Sequence, residues 1–378
     1  MRITIILGPF YPVPPVLGGA VEKVHLLLAE VYAALGHEVT IISRRYKDFP
    51  AQETINGVKN IRIASSNRVS SLALNLVLDF FYALRVSRRL PPSDLTVTNS
   101  FFTPLFLRRG IAGKIYVHVA RYPKRQMFLY FRADRLQAIS KAVAAAIVRE
   151  VPQHSNKVVT IGYPIPDAFY CSFPVQPRKK IILFVGRIAR EKGVHLLIES
   201  FASLVKNGNP KTSSEWSLRI VGPHKVSEGG DGTNYFDELR QLAQELGPAC
   251  TFVGPVFHQQ ALINEYQAAS VFVYPSVAEA GEALGLAPLE AMAAGCAVVV
   301  SDLRCFDDYA EDGQSVLKFD HRCSNPDENL ATKLGQFIAD PRLIEKIANN
   351  GNRVARQFQL KNIAGQMLDD FKSLVKAS

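Results

Sequence analysis

The sequence predicts an α/β protein of two domains built on parallel sheets, and three observations carry that reading. Its 378 residues suffice for two domains of ordinary size. Near the N-terminus a strand, a helix and a second strand follow with the punctuation of a βαβ unit. After a proline-rich stretch the alternation starts again with the apolar run KKIILFVGR, and Val271 to Asp302 repeats the order strand, loop, helix, strand. With 48% hydrophobic and 21% charged residues the chain has the composition of a globular protein, which excludes disorder.

In the first domain the strand Arg2 to Leu7 leads through the loop GPFYPVPPVLGG into a helix from Ala20 to Leu35. Val24, Leu27, Leu28, Val31 and Leu35 recur there at helical spacing, and Gly36 ends the helix. Strands follow at Glu38 to Ser43, Val58 to Ile63, Leu95 to Thr98 and Lys114 to Val119, with a helix over Leu72 to Leu90. Arg135 to Ser140 reads as a further strand whose Ser140 caps the helix Lys141 to Glu150. Gly162 and the prolines from Pro164 to Pro174 mark residues 165–177 as a linker, leaving 1–164 as the first domain.

The second domain, 178–359, opens with the KKIILFVGR strand and the helix HLLIESFASLV. Ser217 to Pro223 is the next strand, Lys225 to Asn234 a charged loop, and a helix runs on to about Leu246. The strand Cys250 to Val256, the helix Ala261 to Ala269 and the strand Val271 to Pro275 lead to a helix over Pro288 to Ala294, which Gly295 stops. The strand AVVVSD comes next, and the final helix begins at Leu360.

Five cysteines without C-x-x-C pairing or metal-ligand spacing fit a reducing, cytoplasmic compartment. The opening run ITIILGPF is a first strand rather than a signal peptide. No stretch reaches the roughly 20 apolar residues of a membrane span; the nearest, Ser71 to Leu84, is interrupted by Asn75 and Asp79. The net charge of +10 is uneven: residues 1–164 hold 22 Lys and Arg against 9 Asp and Glu, or +13. Several of these cations adjoin apolar aromatic runs, which suits an anionic membrane surface, such as the inner face of the cell membrane, or a lipid-pyrophosphate ligand. No nucleic-acid reading module accompanies them.

The chemistry concentrates between Ser276 and Val298. Gly281 and Gly285 let the loop backbone approach a ligand, and the helix start after them offers amides to anionic oxygens. Glu282 and Glu290, with seven residues between them, are acceptors only and suit sugar hydroxyls. Glu290 can also simply complement the helix dipole, and Glu282 can be a solvated loop charge. Arg187 and Lys192 share a strand-to-helix loop, where two cations would hold a diphosphate, or would be solvated. Gly18 and Gly19 precede the first helix, where a pyrophosphate or a plain loop fits. His118 ends a strand, where open α/β sheets place ligands and where structural histidines also occur.

The block Glu282-Ala-Leu-Gly-Leu-Ala-Pro-Leu-Glu290 resembles the E-x7-E signature of retaining glycosyltransferases of family 4. That resemblance implies the GT-B fold, with two Rossmann-like domains facing a cleft and the last helix, 360–378, crossing back onto the first. It implies that Glu282 faces the donor sugar and Glu290 holds the ribose, with Gly281, Ala283, Leu284, Gly285 and Leu286 lining the donor. The family usually has Gly and Phe at the places of Ala283 and Leu284. Arg187 and Lys192 stand in its Gly-Arg-x-x-x-x-Lys-Gly pattern and would stabilise the leaving diphosphate. Gly18 and Gly19 would contact the donor phosphates, His118 the hexose and the Gly254 main chain the base. No D-x-D pair is present, so neither a metal nor another cofactor is expected. The implied function is retaining hexosyl transfer from a nucleotide-diphosphate sugar, UDP-glucose or another UDP-hexose first, to a saccharide or lipid-linked acceptor. A non-catalytic, membrane-associated nucleotide-sugar-binding subunit is the alternative. No nucleic-acid partner is expected.

Overall fold

The structure is a computed structural model that describes residues 1–17, 19–172, 178–207 and 215–376. The chain divides into two compact units, one of 1–164 with 360–378 and one of 165–359.

The first unit is built on an eight-stranded sheet: β1 (Arg2–Ile6), β2 (Glu38–Arg44), β3 (Gln52–Ile55), β4 (Val58–Ile63), β5 (Leu95–Thr98), β6 (Lys114–Val119), β7 (Arg135–Ala138) and β8 (Val158–Thr160). Their order is β3-β4-β2-β1-β5-β6-β7-β8. β1 lies parallel between β2 and β5, with Ile5 beside Ile41 and Val97, so this run of branched side chains is covered on both faces and closed to water. The pair β3 and β4 is antiparallel, and the sequence reading missed it. The signal was Asn56-Gly57, a two-residue turn in which both residues take positive φ, 50° and 78°.

The first helix covers Ala20–Ala34 and corrects the expected core face. Val24 and Leu28 are buried, but Leu35 is exposed. The buried stripe instead includes Glu22, which lines a pocket at the helix start, His25, whose ring packs on His118, and Tyr32, whose ring packs on Phe371. The last helix, Leu360–Lys376, packs on this helix and sheet: Phe371 meets the rings of Tyr32 and Tyr116, and Asp370 pairs with Arg135 at 2.8 Å. Ser140 caps the helix Lys141–Glu150 as expected, accepting from the amide of Val143 at 3.2 Å.

The second unit holds a six-stranded, all-parallel sheet of β9 (Lys179–Val185), β10 (Ser217–Val221), β11 (Cys250–Gly254), β12 (Ala269–Tyr274), β13 (Ala297–Ser301) and β14 (Leu317–Phe319). The order is β11-β10-β9-β12-β13-β14, which makes β9 and β12 neighbours although about 80 residues separate them. The expected linker falls partly on residues 173–177, which lie outside the described residues.

The helix after β12 spans Leu286–Ala294, starting two residues before the expected Pro288. Gly285 stands at its start with φ 74°, and Gly295 ends it at φ 86°. A Cβ on Gly285 would come within 2.5 Å of the Phe306 ring. Gly285→Ala is therefore expected to cost about 1–3 kcal/mol from overpacking and φ strain together, read as a lower urea midpoint at unchanged slope.

Candidate active site

In the second unit the site lies where β9 and β12 end. Parallel strands release their loops at the same sheet edge, so the loop after β9 and the loop after β12 are side by side. They are stitched together through one carbonyl: Glu191 O accepts from Val277 N at 2.9 Å and from Ser276 Oγ at 3.1 Å. Gly193, φ 67°, is the residue of closest approach, since a Cβ there would strike the carbonyl of Pro275.

That stitching brings Lys192 to Glu282. Lys192 Nζ donates to Glu282 Oε2 at 2.5 Å, with side chains only 7% and 11% exposed. Tyr274 at the end of β12 donates its hydroxyl to the same oxygen at 3.1 Å, and the Lys192 ammonium lies 5.4 Å from the Tyr274 ring centre. Burial and the Glu282 charge push the Tyr274 phenol well above its ordinary pKa, so it remains a donor. Arg187 stands at the exposed rim, donating to Glu191 Oε1 at 2.9 Å and to the carbonyl of Gly229 at 2.6 Å. Glu191 Oε1 is also 3.9 Å from Lys192 Nζ. The cluster thus holds two cations and two carboxylates, a balance in which an incoming anion can replace Glu191 on Arg187.

The other expected donor residues lie on the same run. Glu290, on the helix, accepts from Tyr266 at 3.0 Å, a partner different from that of Glu282. Leu284 is buried, at 2% exposure, and its carbonyl and that of Gly285 both accept from Tyr309 Oη, at 3.1 and 3.0 Å. Ala283 and Leu286 are half-buried, while Gly281 is exposed. No side chain caps the helix start. The Gly254 carbonyl accepts from Gly222 N at 2.9 Å.

In the first unit Gly19 and His118 line a pocket of about 490 Å³ at the strand ends. Gly18 lies outside the described residues. His118 is 4% exposed; its Nδ1 meets Gln137 Oε1 and its Nε2 meets Tyr163 Oη at 2.9 Å. Burial lowers its pKa to about 4, and burial also holds His25, whose ring lies 4.7 Å from that of His118, well below the usual value. Sequence reasoning missed Glu22 and Asp79. Both carboxyls line this pocket and are raised by burial, and Arg121 partly offsets the shift at Glu22. The only signal for Glu22 was its place on the first helical turn after Gly19, which alone reads as a dipole partner.

The two imidazoles give a pH expectation. The unfolded chain protonates a histidine near 6.5, whereas His118 resists until about 4. Between those values the unfolded state binds more protons, so stability is full above the window and is lost as pH falls through it. Proton NMR should show neither His25 nor His118 titrating between pH 8 and pH 5.5, with the thermal midpoint falling below pH 6.5.

Two parallel-sheet Rossmann-like domains define the GT-B fold. Residues 172–354 match the family model described as glycosyl transferases group 1. A D-inositol 3-phosphate glycosyltransferase of Corynebacterium urealyticum is 31% identical over 200 residues, covering 52% of this chain and 43% of that protein. The chain spans about half the length of the first curated relatives it matches. Sucrose-phosphate synthase from Thermosynechococcus elongatus superposes with a TM-score of 0.77 at 21% identity over the whole of both chains. An Anabaena protein solved in complex with UDP and glucose superposes with a TM-score of 0.72 at 18% identity over 99% of this chain and 100% of that one. Together these likenesses show the GT-B fold, with the match to glycosyl transferases group 1 lying in the second unit.

Proposed function

We propose that the protein is a retaining glycosyltransferase that moves a hexose from a nucleotide diphosphate, UDP-glucose or another UDP-hexose, to a saccharide or lipid-linked acceptor in polysaccharide or glycolipid synthesis. The observation that carries this is the buried Lys192–Glu282 pair beside Arg187, set at the strand ends of the unit that matches glycosyl transferases group 1. The Anabaena neighbour, whose title names UDP and glucose, supports a donor of that class.

In this reading the diphosphate enters at the rim, taking Arg187 from Glu191 and drawing Lys192 toward the oxygen that leaves the sugar. Lys192 then neutralises charge that develops in the transition state, without reorganising solvent. Glu282, released from Lys192, accepts from the hexose hydroxyls, and Glu290 accepts from the ribose. These two cations supply the electrostatic stabilisation, so transfer proceeds without a divalent metal. No side chain is placed as a nucleophile; the departing phosphate takes the proton of the acceptor hydroxyl as that oxygen attacks the same face. The acceptor meets the first unit, where Glu22, Asp79 and His118 line the pocket. The enzyme works in the cytoplasm, against the inner face of the membrane when the acceptor is lipid-borne.

The configuration of the product tests the retaining step. An α-linked product from UDP-glucose, read from its anomeric proton, is expected; a β-linked product would exclude front-face transfer.

A further inference from the structure

The helix Leu72–Ser87 in the first unit is turned inside out over its first half. Its buried positions include the polar Asn75 and Asp79, while Leu72, Leu74, Val77 and Phe81 are 73%, 47%, 49% and 51% exposed. The inward polar groups are satisfied: Asn75 exchanges hydrogen bonds with the main chain of Val69, and Asp79 accepts from Ser100 Oγ and the amide of Phe102. The outward apolar side chains have no such account, since leaving large side chains in water is unfavourable by the area they expose.

This apolar face continues beyond the helix. Phe80 packs edge-on against Phe102 and Phe106, with ring centres 5.6 and 5.2 Å away. Arg132 then joins the carbonyl of Leu105 to the turn Met127–Tyr130, on and beside which Phe128 and Phe131 are 63% and 58% exposed. Exposed cations border the patch: Arg85, Arg88 and Arg89 end the helix, and Lys124 and Arg125 precede the turn. The nearby acids face inward or are engaged, Asp79 by Ser100 and Glu150 by the amides of Arg125 and Met127. Exposed apolar side chains with exposed cations at the helix end and before the turn, on a helix too short to span, are the complement of an anionic lipid surface. No helix among the described residues is long and apolar enough to cross a membrane.

We propose that this face docks the protein onto an anionic bilayer, with Val77, Phe81, Phe128 and Phe131 entering the headgroup boundary and the arginines meeting lipid phosphates. The proposal deepens the reading of a lipid-linked acceptor by locating the surface at which that acceptor is met, but its test needs no sugar, so either can fail without the other.

The full chain is sedimented with vesicles of phosphatidylcholine alone or mixed with phosphatidylglycerol, at low and moderate salt. Binding is expected only to the mixed vesicles and weakens with salt. Val77→Ser/Phe81→Ser and Phe128→Ser/Phe131→Ser should each lower the partition coefficient by at least roughly tenfold with the thermal midpoint kept. A Phe128→Trp variant should shift its emission to the blue on mixed vesicles and be quenched by brominated lipid, which reports insertion even if a serine variant folds poorly. Absence of binding at either salt would overturn the proposal, as would equal binding by the serine variants. So would a dimer in solution that these substitutions dissociate, because a second copy would then be the occupant.

Discussion

Lys192→Ala should lower turnover of the nucleotide sugar by about 10²–10³-fold, the effect of removing one donor aimed at developing charge. The same substitution should also destabilise the unliganded protein, because Glu282, with its side chain 11% exposed, loses its counter-ion and keeps the neutral Tyr274 hydroxyl as its side-chain partner among the described residues. Breaking a buried pair from one side costs about 3–5 kcal/mol, since a charge remains without its counter-ion in a poorly solvated place. A urea titration beside the kinetics separates the two losses. Loss of stability with turnover retained would mean that the pair only holds the two loops together.

The double variant Lys192→Met/Glu282→Leu should part stability from activity. With both charges gone no desolvated ion is stranded, and two apolar side chains of similar volume fill the space between the loops after β9 and β12. Stability should return to within about 1 kcal/mol of the native value. Turnover should stay as low as in Lys192→Ala, because neither the cation for the leaving diphosphate nor the carboxylate for the sugar is present. Recovery of both would show that the pair serves the fold and that the chemistry lies elsewhere.

Much of this site was legible in the sequence because parallel sheets convert chain order into position. Once KKIILFV and VFVYP are read as strands, the loops that follow them must leave at one edge, and Arg187, Lys192 and Glu282 lie on those loops. What strand patterns cannot give is the sheet order that makes β9 and β12 neighbours, or the shared Glu191 carbonyl that turns Lys192 toward Glu282. Nor does apolar spacing reveal a buried polar stripe. Leu35 fitted the periodicity of the first helix yet faces water, while Glu22 and His25 face inward, Glu22 onto a pocket and His25 onto the ring of His118. The helix Leu72–Ser87 was legible as a helix, but the same error of sign hid its orientation: Asn75 and Asp79 read as interruptions of an apolar run and are in fact its inward anchors. Tyr309, which holds the carbonyls of Leu284 and Gly285, comes from a stretch whose pattern carried no signal.

The most direct test of the account is donor consumption by the purified protein across UDP-, GDP- and ADP-hexoses, with Lys192→Ala alongside. The account predicts release of one nucleotide, UDP, from its hexose, slow without an acceptor and abolished by the substitution. Nucleotide-sugar binding with no release, in the presence of saccharide and vesicle-borne lipid acceptors alike, would contradict it and leave a binding subunit in place of a transferase.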